Sequence, residues 1–369
     1  FQMTLKTLNL SSNNITEFPR QLCQFLALEK LDVSRNHLRS LQDNSGLCNA
    51  MMNFENLHVL QAVANNITSL GVWKRSSCAT SDRTVELHAE RNPLEMLRLV
   101  GIKDAVAVQK CIRSIIVPPN TFKTLLFHSC LLDNSYQLQP WAPSMKGLKI
   151  LQATGSRIGG DLRTFSTLTK LEHLQVFGCG IMGTLGPLHP LTALTLLSLG
   201  ANYFHGPITT LRHLTNLKII RLLKNKLNGS LEAIQGLNNL MDVALTENKF
   251  SGKIDFLNNL TRLHYLGMAN NCLTGTLQGL TRMERLVELI LNDNMFYGSV
   301  GYLGTLSQLV FLNLRNNVMN GSLGALQNLS NLETLDVRSN RFTGSIQNLS
   351  KLPKLKNLLS SGNQFSGGV

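Results

Sequence analysis

One interval recurs along this chain. From Leu148 onward, leucines begin ten successive segments, and each segment begins 23 residues after the one before it. An interval iterated in this way predicts stacked copies of one small structural unit, because each copy can bury its apolar face only against its neighbours. The sequence therefore predicts a repeat array rather than a set of globular domains. The ten segments begin at Leu148, Leu171, Leu194, Leu217, Leu240, Leu263, Leu286, Leu309, Leu332 and Leu355.

The first residues of each segment predict a strand. An aliphatic residue follows the leading leucine at an interval of three, and the apolar residues then alternate with polar ones, which is typical of a strand with one buried face. Asparagine dominates eight residues in, where the chain leaves the strand and backbone groups lose their partners. A carboxamide both donates and accepts, so we expect a ladder of side-chain hydrogen bonds between neighbouring turns. The predicted ladder consists of Asn202, Asn225, Asn248, Asn271, Asn294, Asn317, Asn340 and Asn363.

The second half of each segment predicts a turn and a tight helix. All ten segments have glycine twelve residues in, which fits a turn with positive φ. Apolar residues then follow at intervals of three, as at Leu323, Leu326 and Leu329, and this spacing suits a 3₁₀ helix. Cys179 replaces the asparagine in one segment.

The N-terminal part follows the same pattern less regularly. Residues 1–147 contain about five repeats of 23 to 38 residues, and residues 148–369 contain the ten regular ones. The longest irregular stretch includes a predicted amphipathic helix over Asp104–Ser114, which ends before Pro118. We expect one continuous solenoid of about fifteen repeats that extends beyond both ends of the sequence.

The iterated L-x-x-L-x-L-x-x-N pattern resembles the leucine-rich-repeat family over essentially the whole chain. Segments such as Leu335–Ile346 are similar to the plant-type form with phenylalanine or leucine and then glycine. The usual proline after Ile346 is missing and the repeat is one residue shorter, which favours a divergent lineage, such as a protist, over a plant receptor. The resemblance implies an α/β solenoid. Such a solenoid is a right-handed superhelix with a concave parallel sheet and a convex side of 3₁₀ turns, loops and short helices.

The resemblance also implies that partners bind to the concave sheet. Residues two, four, six and seven positions into each segment should point outward there. Apolar residues at these positions are not needed for the core, so they predict a contact surface, and aromatic and arginine residues are typical interface anchors. The predicted binding residues are His173, Phe177, Leu196, Ile219, Arg221, Leu223, Lys224, Tyr265, Ile290, Phe311, Arg315 and Arg338.

Three functions are compatible with this pattern. The first is a non-catalytic scaffold that binds a protein partner, as a subunit of a larger assembly. The second is the ligand-binding ectodomain of a cell-surface receptor. The third is a basic subunit of a ribonucleoprotein or another polyanion complex, because the formal charge is +13 and basic residues crowd between Lys218 and Lys226. No catalytic motif, metal site or cofactor is predicted.

The cysteines favour an intracellular location, with the extracellular surface as the alternative. The seven cysteines are spread singly, are odd in number, and form no terminal cluster that would predict a disulfide cap. The sequence contains no apolar run long enough to span a membrane. Because asparagine, serine and threonine are abundant, chance explains the seven Asn-x-Ser/Thr sequons. These sequons are at Asn14, Asn66, Asn228, Asn259, Asn320, Asn328 and Asn348.

Overall fold

Parallel strands make up both of the units into which the chain divides. The computed structural model describes residues 4–41, 57, 59–62, 64–67, 69–73, 86–88, 96–100, 115–116, 124–128, 145–156 and 158–366. The helix predicted over Asp104–Ser114 lies outside these residues. The first unit comprises Phe1–Gly160 and Thr167–Ile181, and the second comprises Asp161–Ser166 and Met182–Val369.

The first unit contains ten described strands in two parallel groups. Their orders are β1-β2-β3-β5-β7 and β4-β6-β8-β9-β10. The strands are β1 Thr7–Asn9, β2 Lys30–Asp32, β3 Val59–Gln61, β4 Ser69–Trp73, β5 Glu86–His88, β6 Met96–Val100, β7 Ile115–Ile116, β8 Thr124–His128, β9 Ile150–Thr154 and β10 His173–Phe177. A 3₁₀ helix covers Arg20–Gln24.

The second unit contains two series of short strands that alternate along the chain. The main sheet runs from β12 to β26 through the even-numbered strands, and the second sheet runs from β11 to β27 through the odd-numbered strands. The main-sheet strands are β12 Leu196–Ser198, β14 Ile219–Arg221, β16 Asp242–Ala244, β18 Tyr265–Gly267, β20 Glu288–Ile290, β22 Phe311–Asn313, β24 Thr334–Asp336 and β26 Asn357–Leu359. The second-sheet strands are β11 Met182–Gly183, β13 Tyr203–Gly206, β15 Lys226–Gly229, β17 Lys249–Gly252, β19 Cys272–Gly275, β21 Met295–Gly298, β23 Val318–Gly321, β25 Arg341–Gly344 and β27 Gln364–Phe365.

Short 3₁₀ helices complete the repeats of the second unit. Neighbouring 3₁₀ helices of the second unit also pack against one another. None of the helices in the described part of the chain has the length and apolar composition needed to cross a bilayer. The 3₁₀ helices cover Leu162–Phe165, Gly186–Leu188, Thr209–His213, Glu232–Ile234, Asp255–Asn259, Gln278–Leu280, Val300–Leu303, Leu323–Asn328 and Gln347–Lys351.

The core of the second unit is built from equivalent residues of successive repeats. Val243, Leu266 and Leu289 occupy the centres of adjacent main-sheet strands, and none of them is accessible to solvent. They pair in register, Val243 with Leu266 and Leu266 with Leu289. Phenylalanines such as Phe250 and Phe296 fill the space beside the second sheet and are also fully buried. Each repeat therefore covers the apolar face of the one before it.

The turn after each main-sheet strand is held by asparagine. The Asn225 amide group donates to the carbonyl of Leu222 in its own repeat and to that of Leu199 in the preceding one. Its Oδ1 accepts from the backbone amide of Phe204. The residue before the asparagine has a positive φ, 56° at Lys224, and its amide donates to the next repeat. One side chain thus satisfies backbone groups of two adjacent turns, which the burial of these turns requires.

Glycine serves two different purposes in these repeats. The glycines at the ends of the second-sheet strands have positive φ, for example 81° at Gly229 and 82° at Gly298, a conformation that other residues rarely adopt. Gly279 instead lies in a 3₁₀ helix, where a Cβ atom would be 2.0 Å from the carbonyl oxygen of Ile254. This contact shows how closely neighbouring 3₁₀ helices approach, and nothing in the spacing of the sequence predicts it.

The bonding of Cys23 contradicts one prediction made from the sequence. Cys23 forms a disulfide, so the expectation of unpaired cysteines without a disulfide near the ends is wrong for this residue. The reason is geometric, because sequence spacing does not show which distant cysteines the fold brings within bonding distance. Cys179 and Cys272 form no disulfide within the described part of the chain, and the first is buried while the second is exposed. Cys179 donates to the carbonyl of Ala153, and burial raises the pKa of its thiol to about 12.

We predict that Asn294→Ala lowers the free energy of unfolding by about 3 kcal/mol, because buried backbone groups lose their partners. Asn294 donates to the carbonyls of Met268, Leu291 and Asn292 and accepts from the amide of Leu273. Chemical denaturation followed by circular dichroism measures the change.

The matched control for this prediction is Asn320→Ala. Asn320 is exposed, so its replacement should change the free energy of unfolding by less than about 0.5 kcal/mol. Equal losses in the two variants would contradict the structural role of the buried asparagine.

Candidate binding surface

The solvent-facing side of the main sheet in the second unit forms a surface of aligned rows, which we call the open face. Strand pairing places Ile219 beside Asp242, and Asp242 beside Tyr265. The same register continues through Glu288 to Phe311. Because adjacent strands are about 4.8 Å apart, equivalent residues of successive repeats become near neighbours. The open face therefore consists of positions two, four, six and seven of each repeat.

None of the twelve predicted binding residues is buried. In the first unit, His173 and Phe177 are the end residues of β10, and 38% of Phe177 is exposed. The other ten residues belong to the open face of the second unit. Its first row contains Leu196, Ile219, Tyr265 and Phe311, its second row contains Arg221 and Ile290, and its turns contain Leu223, Lys224, Arg315 and Arg338.

Carboxylates that the sequence analysis missed lie beside the predicted cations. Arg221 donates to Asp242 on the adjacent strand, and this hydrogen bond raises the pKa of the guanidinium. Lys224 Nζ lies 3.6 Å from Glu247. The partner in each pair is one repeat further along the chain. A search for carboxylates at open-face positions 21 or 23 residues from each cation would have found both pairs.

Tyr265 lies at the centre of the first row. Its ring folds along its own strand over Gly267, where a Cβ atom would lie only 2.6 Å from the tyrosine hydroxyl. Burial raises the pKa of Tyr265, and the carboxylates of Glu288 and Asp242 on the two adjacent strands raise it further. One oxygen of Asp242, Oδ1, is buried and has no hydrogen-bond partner among the described residues. The first row is thus apolar towards Ile219 and Phe311 and polar between them.

The charges of the open face nearly balance. Four cationic and five anionic side chains occupy its positions, although the whole chain has a formal charge of +13. Arg338 forms a two-point ion pair with Asp336, at distances of 2.9 and 2.6 Å. The basic excess of the chain therefore lies outside the open face. The charged open-face residues are Arg221, Lys224, Arg315, Arg338, Asp242, Glu247, Glu288, Asp293 and Asp336.

Few reactive side chains converge in the part of the chain that the structure describes. The rings of His189 and His213 lie 4.7 Å apart. Within the described ranges, no group of three His, Cys, Asp or Glu side chains could hold a metal ion. The arrangement on the open face is suited to contact with a ligand, through apolar side chains and paired charges.

The repeats of this chain match a protein-family model. The model described as Leucine Rich Repeat matches residues 4–25 and 331–352. The chain is a leucine-rich-repeat protein. Its parallel strands and 3₁₀ helices form the α/β leucine-rich-repeat solenoid fold, as the sequence predicted. No curated protein sequence matches the chain.

Solved leucine-rich-repeat structures share this fold along almost the whole chain. A plant peptide hormone receptor, RGFR1 in complex with RGF2, is 22% identical with a TM-score of 0.64, over 98% of this chain and 64% of that one. The ectodomain of the Arabidopsis receptor kinase HAESA, in complex with an IDA peptide hormone, is 20% identical with a TM-score of 0.64, over 100% and 63%. A leucine-rich-repeat protein of Leptospira interrogans is 19% identical with a TM-score of 0.57, over 99% and 92%. The chain spans less than two thirds of the length of the two plant receptors.

We predict that Glu288→Gln shifts the ionisation of Tyr265 to lower pH. A nearby carboxylate disfavours the tyrosinate, so removing its charge lowers the raised pKa towards the ordinary value. Tyrosinate absorbance near 295 nm, recorded against pH, measures the shift, and the Tyr265→Phe variant identifies which of the five tyrosines is responsible.

Glu284→Gln is the control for this titration, because Glu284 is exposed and lies outside the open face. An identical titration curve for Glu288→Gln and the unchanged protein would show that the two side chains do not interact as described.

Proposed function

We propose that this leucine-rich-repeat protein is a non-catalytic binding protein that holds a protein or peptide partner on the open face of its second unit. The observation that carries the proposal is the first row. Ile219 and Phe311 are accessible apolar side chains that the core does not need, and the polar group around Tyr265 lies between them. Apolar anchors with aromatic and arginine neighbours are typical of protein interfaces.

The dimensions of the row suit an extended segment. Ile219 and Phe311 lie four strands apart, which corresponds to about 19 Å. An extended chain of about six residues covers that distance. We therefore infer a ligand segment with an apolar residue towards each end. A cationic or hydrogen-bonding residue between them would match Asp242 and Glu288.

A receptor ectodomain is the form of this function that the comparisons favour over an intracellular assembly subunit. The plant peptide hormone receptor RGFR1 is in complex with RGF2, and the HAESA ectodomain is in complex with an IDA peptide hormone. The disulfide at Cys23 is typical of proteins from oxidising compartments. The cysteines therefore no longer favour an intracellular location.

A polyanion partner would have to use another surface. The nine strands of the second sheet contain Lys226, Lys249 and Arg341 but no aspartate or glutamate. The open face offers no such excess of positive charge. Binding of a single-stranded oligonucleotide that weakens steeply with salt would support this alternative.

We predict that Ile219→Asp weakens partner binding by roughly tenfold or more, because a charge replaces one of the two apolar anchors of the contact. Proteins captured by the immobilised chain are identified by mass spectrometry. Their affinity for each variant is then measured with purified components.

Met295→Asp is the matched control. It makes the same chemical change at a methionine that is 51% exposed on the second sheet. The proposal requires binding to Met295→Asp to stay within about twofold of the unchanged chain, with both variants folded. Loss of binding only in Met295→Asp would move the site to the second sheet and refute the proposal.

A further inference from the structure

The sequon asparagines are set apart from the structural asparagines by their exposure. All seven, from Asn14 to Asn348, are exposed in the structure. None of them is among the buried asparagines, which stabilise the turns. The buried asparagines are Asn36, Asn65, Asn202, Asn294, Asn317 and Asn340. Modification of a sequon asparagine would therefore leave the buried turns intact.

Hydrogen bonding separates the same two groups. The turn asparagines each donate to several carbonyl groups, and a second set links the 3₁₀ side of neighbouring repeats, as Asn216 does by donating to the carbonyl of Thr192. The Nδ2 amides of Asn228, Asn259 and Asn320 donate to no other described residue. The packing of the repeats therefore gives no reason for asparagine at these positions, and their amide nitrogens are available for modification.

The positions of the sequons avoid the open face. Asn228 and Asn320 lie in β15 and β23 of the second sheet. Asn259 and Asn328 end two of the 3₁₀ helices, and Asn348 lies within another. A large group on any of these five asparagines would extend from the second sheet or the 3₁₀ side. None would cover the first row around Tyr265.

We propose that the five exposed sequon asparagines of the second unit are N-glycosylation sites and that their glycans leave the open face as the bare protein surface. In the reaction, the side-chain nitrogen forms a bond to C1 of an oligosaccharide carried on a lipid pyrophosphate. The C1–oxygen bond breaks, the lipid pyrophosphate leaves, and the amide loses one proton. The disulfide at Cys23 is an independent feature of the same oxidising pathway.

This inference goes beyond the proposed binding function and restricts where a partner can contact the chain. Glycans at Asn228 and Asn320 would shield the basic strands of the second sheet, where Asn228 pairs with Lys249. They would therefore hinder the polyanion alternative while leaving open-face binding unaffected.

The test is expression of the whole chain behind a secretory leader in insect cells. The secreted protein is treated with peptide N-glycosidase in heavy-oxygen water, so that each formerly glycosylated asparagine becomes a labelled aspartate that mass spectrometry locates. We expect a monodisperse secreted glycoprotein labelled at the five sequons of the second unit. Secretion with these asparagines unlabelled would overturn the proposal. Secretion only after all seven are replaced by glutamine would also overturn it, because the folded chain would then not tolerate the glycans.

Two serines provide a matched pair for assigning one site. Ser322 and Ser299 occupy equivalent positions in adjacent repeats, and each caps a 3₁₀ helix by accepting a hydrogen bond from the amide two residues later. Only Ser322 completes a sequon, that of Asn320. Ser322→Ala should remove one glycan from the intact mass and Ser299→Ala none. Equal masses for the glycosylated forms of both variants would refute glycosylation at Asn320.

Discussion

The asparagine side chain at the end of each main-sheet strand is the interaction on which the rest of the second unit depends. The chain turns inward there, and its buried backbone groups cannot all be paired by the strands. Asn271, for example, donates to carbonyls of its own and the preceding repeat and accepts from the amide of Phe250. Because each carboxamide joins two turns, the repeats stack at one spacing and in one register. Leucines and phenylalanines then fill the space that this stacking defines.

The open face is a consequence of that register. Once the strands align, residues that are 23 positions apart in the sequence become lateral neighbours, and their side chains are free to vary without cost to the core. This freedom allows a row with Ile219 at one end, Tyr265 in the middle and Phe311 at the other end. It also lets adjacent repeats pair opposite charges, as in Arg221 and Asp242. The scaffold is therefore uniform, while the ligand-facing surface is specific to this chain.

The fold could be predicted from the sequence because its determinants are periodic. The 23-residue spacing, the alternating leucines and the glycines each correspond to one local requirement that is repeated. Features that depend on contacts between repeats were not predictable in this way. Four such features depend on neighbours in three dimensions. They are the disulfide at Cys23, the carboxylates beside Arg221 and Lys224, the ring of Tyr265 over Gly267, and the separation of exposed from buried asparagines. The twelve residues proposed for binding follow from the strand register, but the chemistry of their ligand does not.

Hydrogen exchange tests the central claim most directly. The backbone amides of Phe250 and Phe296 donate to the Oδ1 atoms of Asn271 and Asn317 rather than to a backbone carbonyl. If the side-chain ladder holds the turns, these amides exchange as slowly as the amide of Leu222, which directly follows β14 and donates to Ala244 in the main sheet. Exchange of the Phe250 and Phe296 amides at the rates of an unstructured peptide, while the main sheet stays protected, would contradict the account.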